Sequence, residues 1–241
     1  MIKLALFCKS YRNDVLRVKR LLESVETFNQ SSLPFYLSIP SQDIEIFQNH
    51  IPIEQYLKSG NFFLVTDEQI IQANPKIQLE QFKSLPGYLG QQIIKAEAWR
   101  ALNFENYLCL DSDAYFIRKF DESDFLDKHG NPVILLHDCH DLLEEAKKNR
   151  KFDVIENFNK DCEIMKNEFR RIGPNYDFGP APLLWSHKVW EKLDTAWLTK
   201  KNESIVDAIV RLPHEIRWYG EAYLHFFKDQ YPVSYTHLTL P

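Results

Sequence analysis

An apolar run ending in two aspartates one residue apart, Asn106-Tyr-Leu-Cys-Leu-Asp-Ser-Asp-Ala-Tyr-Phe-Ile117, carries the clearest chemistry in this 241-residue chain. Residues 107–110 read as a short buried strand bounded by polar residues, so Asp111 and Asp113 fall where the chain leaves a sheet. Carboxylates there face a crevice and not a core. Side chains two apart on an extended segment point the same way, and two converging negative charges repel unless a cation or donors lie between them. Hard oxygen ligands suit Mg2+ or Mn2+, ions that keep several waters and bind substrate phosphates as well. The pair is therefore expected to hold a divalent ion bridged to a diphosphate. Aspartates in this spacing also cap turns; the hydrophobic strand in front favours the metal.

The elements that must position this pair alternate along the chain. Residues 3–8 read as a strand and 14–28 as a helix, with Val15, Val18, Leu21, Leu22 and Val25 at helical spacing. Residues 34–39 and 62–66 read as further strands, with a short helix over 43–49. Residues 67–88 contain Pro75, Pro86 and Gly87 without a sustained period and are expected to be a loop region. A helix over 90–102 then feeds the aspartate strand. Residues 132–137 are another strand, 141–171 a charge-rich solvated helix, 179–185 an extended proline-containing segment, 188–193 a helix, and 205–227 a final periodic segment. The order predicts an α/β fold with a mostly parallel central sheet flanked by helices.

Composition sets limits. A chain that is 44% hydrophobic and 14% aromatic can bury one substantial core. A formal charge of -5 and a pI near 5.9 supply no global attraction for nucleic acid or an anionic membrane, so any polyanion site must be local. No run approaches a membrane span, and the N-terminal apolar stretch is too short for a secretory signal, which makes the cytoplasm the expected compartment, with peripheral contact to the inner face of the membrane as a variant. Cys8, Cys109, Cys139 and Cys162 lack C-x-x-C spacing and are expected to be buried thiols. Val233 to Pro241 read as the translation of a transposon-library adapter, so residues 1–232 are expected to form a single domain cut short at its C-terminus and 233–241 to be a sequencing-adapter scar.

The progression into Leu110-Asp111-Ser112-Asp113, preceded by Gly87-Tyr-Leu-Gly-Gln-Gln-Ile-Ile-Lys95-Ala, resembles the GT-A fold glycosyltransferases, above all those of bacterial capsule and lipopolysaccharide synthesis. The resemblance spans residues 1–232 and is most specific in the D-x-D block. It implies a nucleotide-diphospho-sugar donor lying across the C-terminal rim of a GT-A-like, Rossmann-like sheet. It implies Mn2+ or Mg2+ held by Asp113, with Asp111 on the metal or the ribose. Ser10, Tyr11 and Arg12 would line the nucleotide, and Asp14 would reach the base or ribose, unless Asp14 only caps the following helix. Lys95 would reach a phosphate, although helical lysines are usually solvated. The chain departs from the family in offering no clear late histidine as a further metal ligand.

Glycosyl transfer with inversion also needs a carboxylate to take the acceptor hydroxyl's proton. Trp218-Tyr219-Gly220-Glu221 resembles the aromatic, glycine, acid pattern that carries this base in many such enzymes, with glycine admitting close backbone approach and the aromatics stacking on a sugar. Glu221 is thus the expected base and Glu215 the second choice; a helix-start glutamate favoured by the dipole is the competing reading of Glu221. His137-Asp138-Cys-His140 has no partner cluster and is expected to be structural or acceptor-facing, and Asp177-Phe178-Gly179-Pro180 to shape an acceptor pocket. The acceptor implied is a glycan or a lipid-linked hydroxyl. A nucleotidyltransferase acting on sugar phosphates also uses paired aspartates, but Cys8-Lys-Ser-Tyr-Arg-Asn lacks the glycine-rich loop expected of one. An inactive sugar-nucleotide-binding domain is the third class.

Overall fold

The computed structural model describes residues 1–179, 182–228, 230 and 231, and the backbone of 233–235. The chain runs β1 (Ile2–Lys9), α1 (Val15–Phe28), β2 (Phe35–Ile39), α2 (Ile44–His50), α3 (Ile53–Lys58), β3 (Phe62–Thr66), α4 (Asp67–Gln72), α5 (Leu79–Lys83), α6 (Gly87–Ala101) and β4 (Phe104–Leu110). It continues through β5 (Ile134–Leu136), α7 (His140–Lys148), α8 (Phe152–Glu168), β6 (Leu183–Ser186), α9 (His187–Lys192), α10 (Ile205–Arg211), α11 (Glu215–Phe226) and β7 (Val233–Tyr235).

The central sheet has the order β3-β2-β1-β4-β6. Its first four strands are parallel and β6 alone runs antiparallel, against β4. Period-2 alternation divides the strands between two cores. Leu4, Leu6 and Cys8 of β1, with Leu108 and Leu110 of β4, face the core shared with α1 to α3. Ala5 and Phe7, with Tyr107 and Cys109, face the larger core shared with α6, α9, α10 and α11. Burial on both faces is why these strands read as continuous apolar runs rather than alternating ones. In α1 the predicted residues Val15, Val18, Leu21, Leu22 and Val25 are all buried.

Several local features depart from the sequence reading. The expected loop at 67–88 holds α4 and α5, and α4 is started by a capping box in which Thr66 and Gln69 satisfy each other's backbone N–H groups. The expected single helix over 141–171 breaks into α7 and α8 where Arg150 takes φ 57. The helix begun at α9 widens into a π-helical turn over Leu193–Leu198. The final periodic segment divides into α10 and α11 around Pro213. Beyond the main sheet, β5 pairs in parallel with β7, so part of the tail expected to be foreign sequence forms a strand; residue 232 and residues 236–241 lie outside the described residues. At the end of β6, the Ser186 N–H donates to the Tyr219 hydroxyl at 2.7 Å. Among the described residues, no helix is long and apolar enough to cross a membrane.

Gly220 has a packing role different from the one expected. A Cβ at this position would stand 2.0 Å from Cγ of Phe178, so the missing side chain makes room for a protein ring and not for a ligand. Gly220→Ala is expected to lower stability by about 1–3 kcal/mol from overpacking, more than any gain in helix propensity. Phe178→Leu should recover part of that loss in the double variant, a non-additivity that urea unfolding of the four proteins measures directly. Additive losses would show that the two side chains do not collide.

Candidate active site

The chain fills β1, β2 and β3 outward in one direction and then crosses back to place β4 on the other side of β1. Neighbouring loops at such a reversal diverge and leave a crevice at the strands' C-terminal ends. The loop after β1 forms one lip and Asp111, directly after β4, starts the other. Hydrogen bonds fix both lips. Ser10 is buried, with its N–H on the Ser38 carbonyl at 2.8 Å, and among the described residues its hydroxyl has no hydrogen-bond partner. Tyr11 is exposed. Arg12 donates its backbone N–H at 2.9 Å and its Nε at 2.8 Å to the buried Asp43 carboxylate, so its exposed guanidinium is anchored to the loop after β2. Asp14 makes no side-chain cap to α1. Its carboxylate accepts instead from the Ser112 hydroxyl at 2.9 Å and from Arg17 at 2.9 Å. The middle residue of the aspartate motif thus ties the two lips together, a role that sequence spacing did not disclose.

Lys95 is buried, not solvated. Its carbonyl accepts from the Tyr107 hydroxyl at 2.9 Å, and its ammonium donates to Asp111 Oδ1 at 2.7 Å. Burial opposes the charge, whereas Cys109, Asp111 and Glu215 together favour it, and the Lys95 pKa lies above the ordinary lysine value. The adjacent Cys109 thiol, pushed up to about 12 chiefly by burial, is neutral at physiological pH. Glu215 opens α11 with its backbone N–H on the Gln92 side chain at 3.3 Å, and Gln92 lies one turn before Lys95 on α6. Burial raises the Glu215 pKa and Asp111 adds to the rise, against the opposing pull of Lys95 and of the first backbone N–H groups of α11. Lys95 of α6 thus pairs directly with Asp111 at the end of β4, and Glu215, at the start of α11, lies near enough for its charge to be felt by both. Asp113 is exposed, and among the described residues nothing hydrogen-bonds its carboxylate.

These positions bear on each expected ligand. The chain bends into a turn at Asp111, closed by the Ala114 N–H on the Asp111 carbonyl, so the two aspartates are not on one extended face as supposed. Asp111 spends one oxygen on Lys95 while Asp113 stays open. Among the described residues, no group of three or more His, Cys, Asp or Glu side chains stands close enough to hold an ion. A divalent ion here would rest on one or two carboxylates and take its other ligands from water and substrate phosphates, the mode Mg2+ commonly uses.

Glu221 sits elsewhere in the protein. It is buried in mid-helix, and Arg171 grips both its oxygens, Nε on Oε2 at 2.6 Å and Nη2 on Oε1 at 2.7 Å. Trp218 and Tyr219 are likewise core residues, so neither is placed to stack on a ligand. His137 is buried beside the bridge that its backbone makes with Asp177, Phe178 fills the space above Gly220, and Pro180 lies outside the described residues. A cavity of about 350 Å³ runs beside β6 between Phe125, Ile134, Phe178 and Trp185. Its walls are largely apolar and include none of the residues of the Asp111 lip.

The two glutamates are thus predicted to behave oppositely. Glu221→Gln leaves the Arg171 guanidinium without a charged partner and is expected to lower unfolding free energy by about 3–5 kcal/mol. For Glu215, a folded pKa above the unfolded value means that the acid form favours folding. That contribution is complete below the ordinary glutamate pKa of about 4.3 and is lost as pH rises through the raised folded value. Glu215→Gln should therefore be more stable than wild type at neutral pH, with the difference closing near pH 4. Denaturant titrations of the three proteins at both pH values test this, and identical pH profiles for wild type and Glu215→Gln would refute the raised pKa.

No curated protein matches the chain. Among solved structures, one of residues 1–349 of S. aureus TarS is similar at 12% identity and a TM-score of 0.43, over 98% of this chain. This chain spans 58% of that one. Residues 1–228 match a family described only as being of unknown function, and the chain belongs to that family, DUF6492.

Proposed function

We propose that the protein transfers a glycosyl group from a nucleotide-diphospho-sugar to a hydroxyl of a glycan or lipid-linked acceptor, and that the crevice between β1 and β4 is its active site. The observation that carries this reading is the Lys95–Asp111 pair at the crevice lip, near enough to feel the charge of Glu215, beside the open carboxylate of Asp113. Asp113, with the free oxygen of Asp111, would hold Mn2+ or Mg2+, which supplies Lewis-acid stabilisation of the leaving diphosphate when bound. Lys95 keeps Asp111 in place and adds positive charge on the same side. Across the crevice, the exposed Tyr11 ring suits a base, while Arg12 and Asp14 hold their lip in shape.

Glu215 takes the part first assigned to Glu221. A general base must reach the acceptor hydroxyl and works best with a pKa near the operating pH. Glu215 has the raised pKa and the position at the lip, whereas both oxygens of Glu221 are engaged by Arg171. Its carboxylate would accept the hydroxyl proton as the acceptor oxygen bonds to the anomeric carbon and the diphosphate departs.

Two variants divide these roles. Asp113→Asn should abolish Mn2+-dependent binding of nucleoside diphosphates by calorimetry with little change in stability, because the side chain is exposed and unpaired. Glu215→Gln should keep that binding and lower transfer about a hundredfold or more. Undiminished Mn2+-dependent binding in Asp113→Asn would overturn the metal assignment, and full transfer by Glu215→Gln would overturn the base.

A further inference from the structure

The N-terminal half of α6 leads into Lys95 and holds none of the assigned residues. Lys95 has its carbonyl on Tyr107 and extends its side chain to Asp111, four residues further along the chain, so the lysine reaches toward the helix N-terminus and the C-terminal rim of the sheet. The preceding turns of α6 therefore project beyond that rim. Tyr88, Gln92 and Lys95 follow at spacings of four and three and share one helical face. Exposure along this stripe falls from 56% at Tyr88, through the half-buried Gln92, to 8% at Lys95. The two inner members are engaged with Glu215 and Asp111. Tyr88, about 10 Å out along the axis from Lys95, packs its ring on no aromatic or cationic group among the described residues, whereas the comparably exposed Tyr115 carries Arg20 at 4.0 Å.

We propose that Tyr88 is the stacking platform for a pyranose ring of the acceptor, which makes the acceptor a carbohydrate next to its reacting hydroxyl. This rests on the reading of Glu215 as the base. An acceptor hydroxyl at Glu215 places the rest of its sugar outward along the Tyr88 stripe, and a phenol offers an apolar face for the sugar's C–H groups with a polar edge for its hydroxyls. The aromatics first expected to do this, Trp218 and Tyr219, are sealed in the core.

The test is saturation-transfer NMR with methyl glycosides of glucose, galactose and N-acetylglucosamine on wild type, Tyr88→Phe and Tyr88→Ala, beside calorimetry with nucleoside diphosphates and Mn2+. At least one glycoside should bind wild type and Tyr88→Phe, and bind Tyr88→Ala about tenfold more weakly. Nucleoside diphosphate affinity and thermal stability should be equal in all three proteins, since the ring is exposed. Glycoside binding that depends on Tyr88 in a protein that binds no nucleoside diphosphate supports the platform and refutes the proposed donor. Equal glycoside binding by Tyr88→Ala, absence of glycoside binding by wild type, or loss of nucleoside diphosphate affinity in Tyr88→Ala overturns the proposal.

Discussion

Parallel hydrogen bonding between β1 and β4 is the constraint on which the rest of the structure depends. Leu6 pairs with Leu108 and Cys8 with Leu110, although two strands and six helices separate them in the chain. Closing so long a loop has an entropic cost that grows only slowly with length, and the two-sided burial of Phe7, Tyr107 and their neighbours offsets it. Once the pair forms, the chain reversal beside it is unavoidable. The loops after the two strands must part, and backbone and polar side chains are left where an α/β sheet accepts ligands.

Buried charge gives this opening a fixed shape. Lys9 meets Asp67 at 2.9 Å while the Ser38 hydroxyl donates to the same carboxylate at 2.7 Å, joining the ends of β1, β2 and β3. Burial raises the Asp67 pKa, and the lysine and serine oppose that rise. Arg12 on Asp43 and Ser112 on Asp14 extend the network to both lips. Such pairs add little net stability over well-packed apolar residues, but breaking one is expensive, so they specify geometry more than they strengthen the fold.

The parts of this arrangement legible in the sequence are those with short-range signals. The apolar runs of β1 and β4, the helical spacing of α1 and the position of Asp111 at a strand end all follow from local pattern. The antiparallel direction of β6 does not, because four residues such as Leu183–Ser186 carry no mark of strand direction. Aromatic, glycine and acid in succession at Trp218 to Glu221 resemble a site pattern in sequence, whereas in mid-helix the same residues pack Gly220 against Phe178 and Glu221 against Arg171. Arg171 lies 50 residues away in sequence, and no spacing rule connects the two. Glu215 has a local signal of its own position: it follows Pro213 and opens a helix, where orphan backbone N–H groups and the helix dipole favour an acid.

The bond from the Ser186 N–H to the Tyr219 hydroxyl bears on how the molecule behaves in a crowd. β6 is the outermost strand on its side of the sheet, and an outermost strand with open donors is a template for another chain, the usual route to aggregation. Here one of those donors is held by a tyrosine from α11, and β6 is only four residues long. An incoming strand would find little ladder to extend. A phenol in the core thus occupies a backbone donor of the edge strand that would otherwise lie buried without a partner.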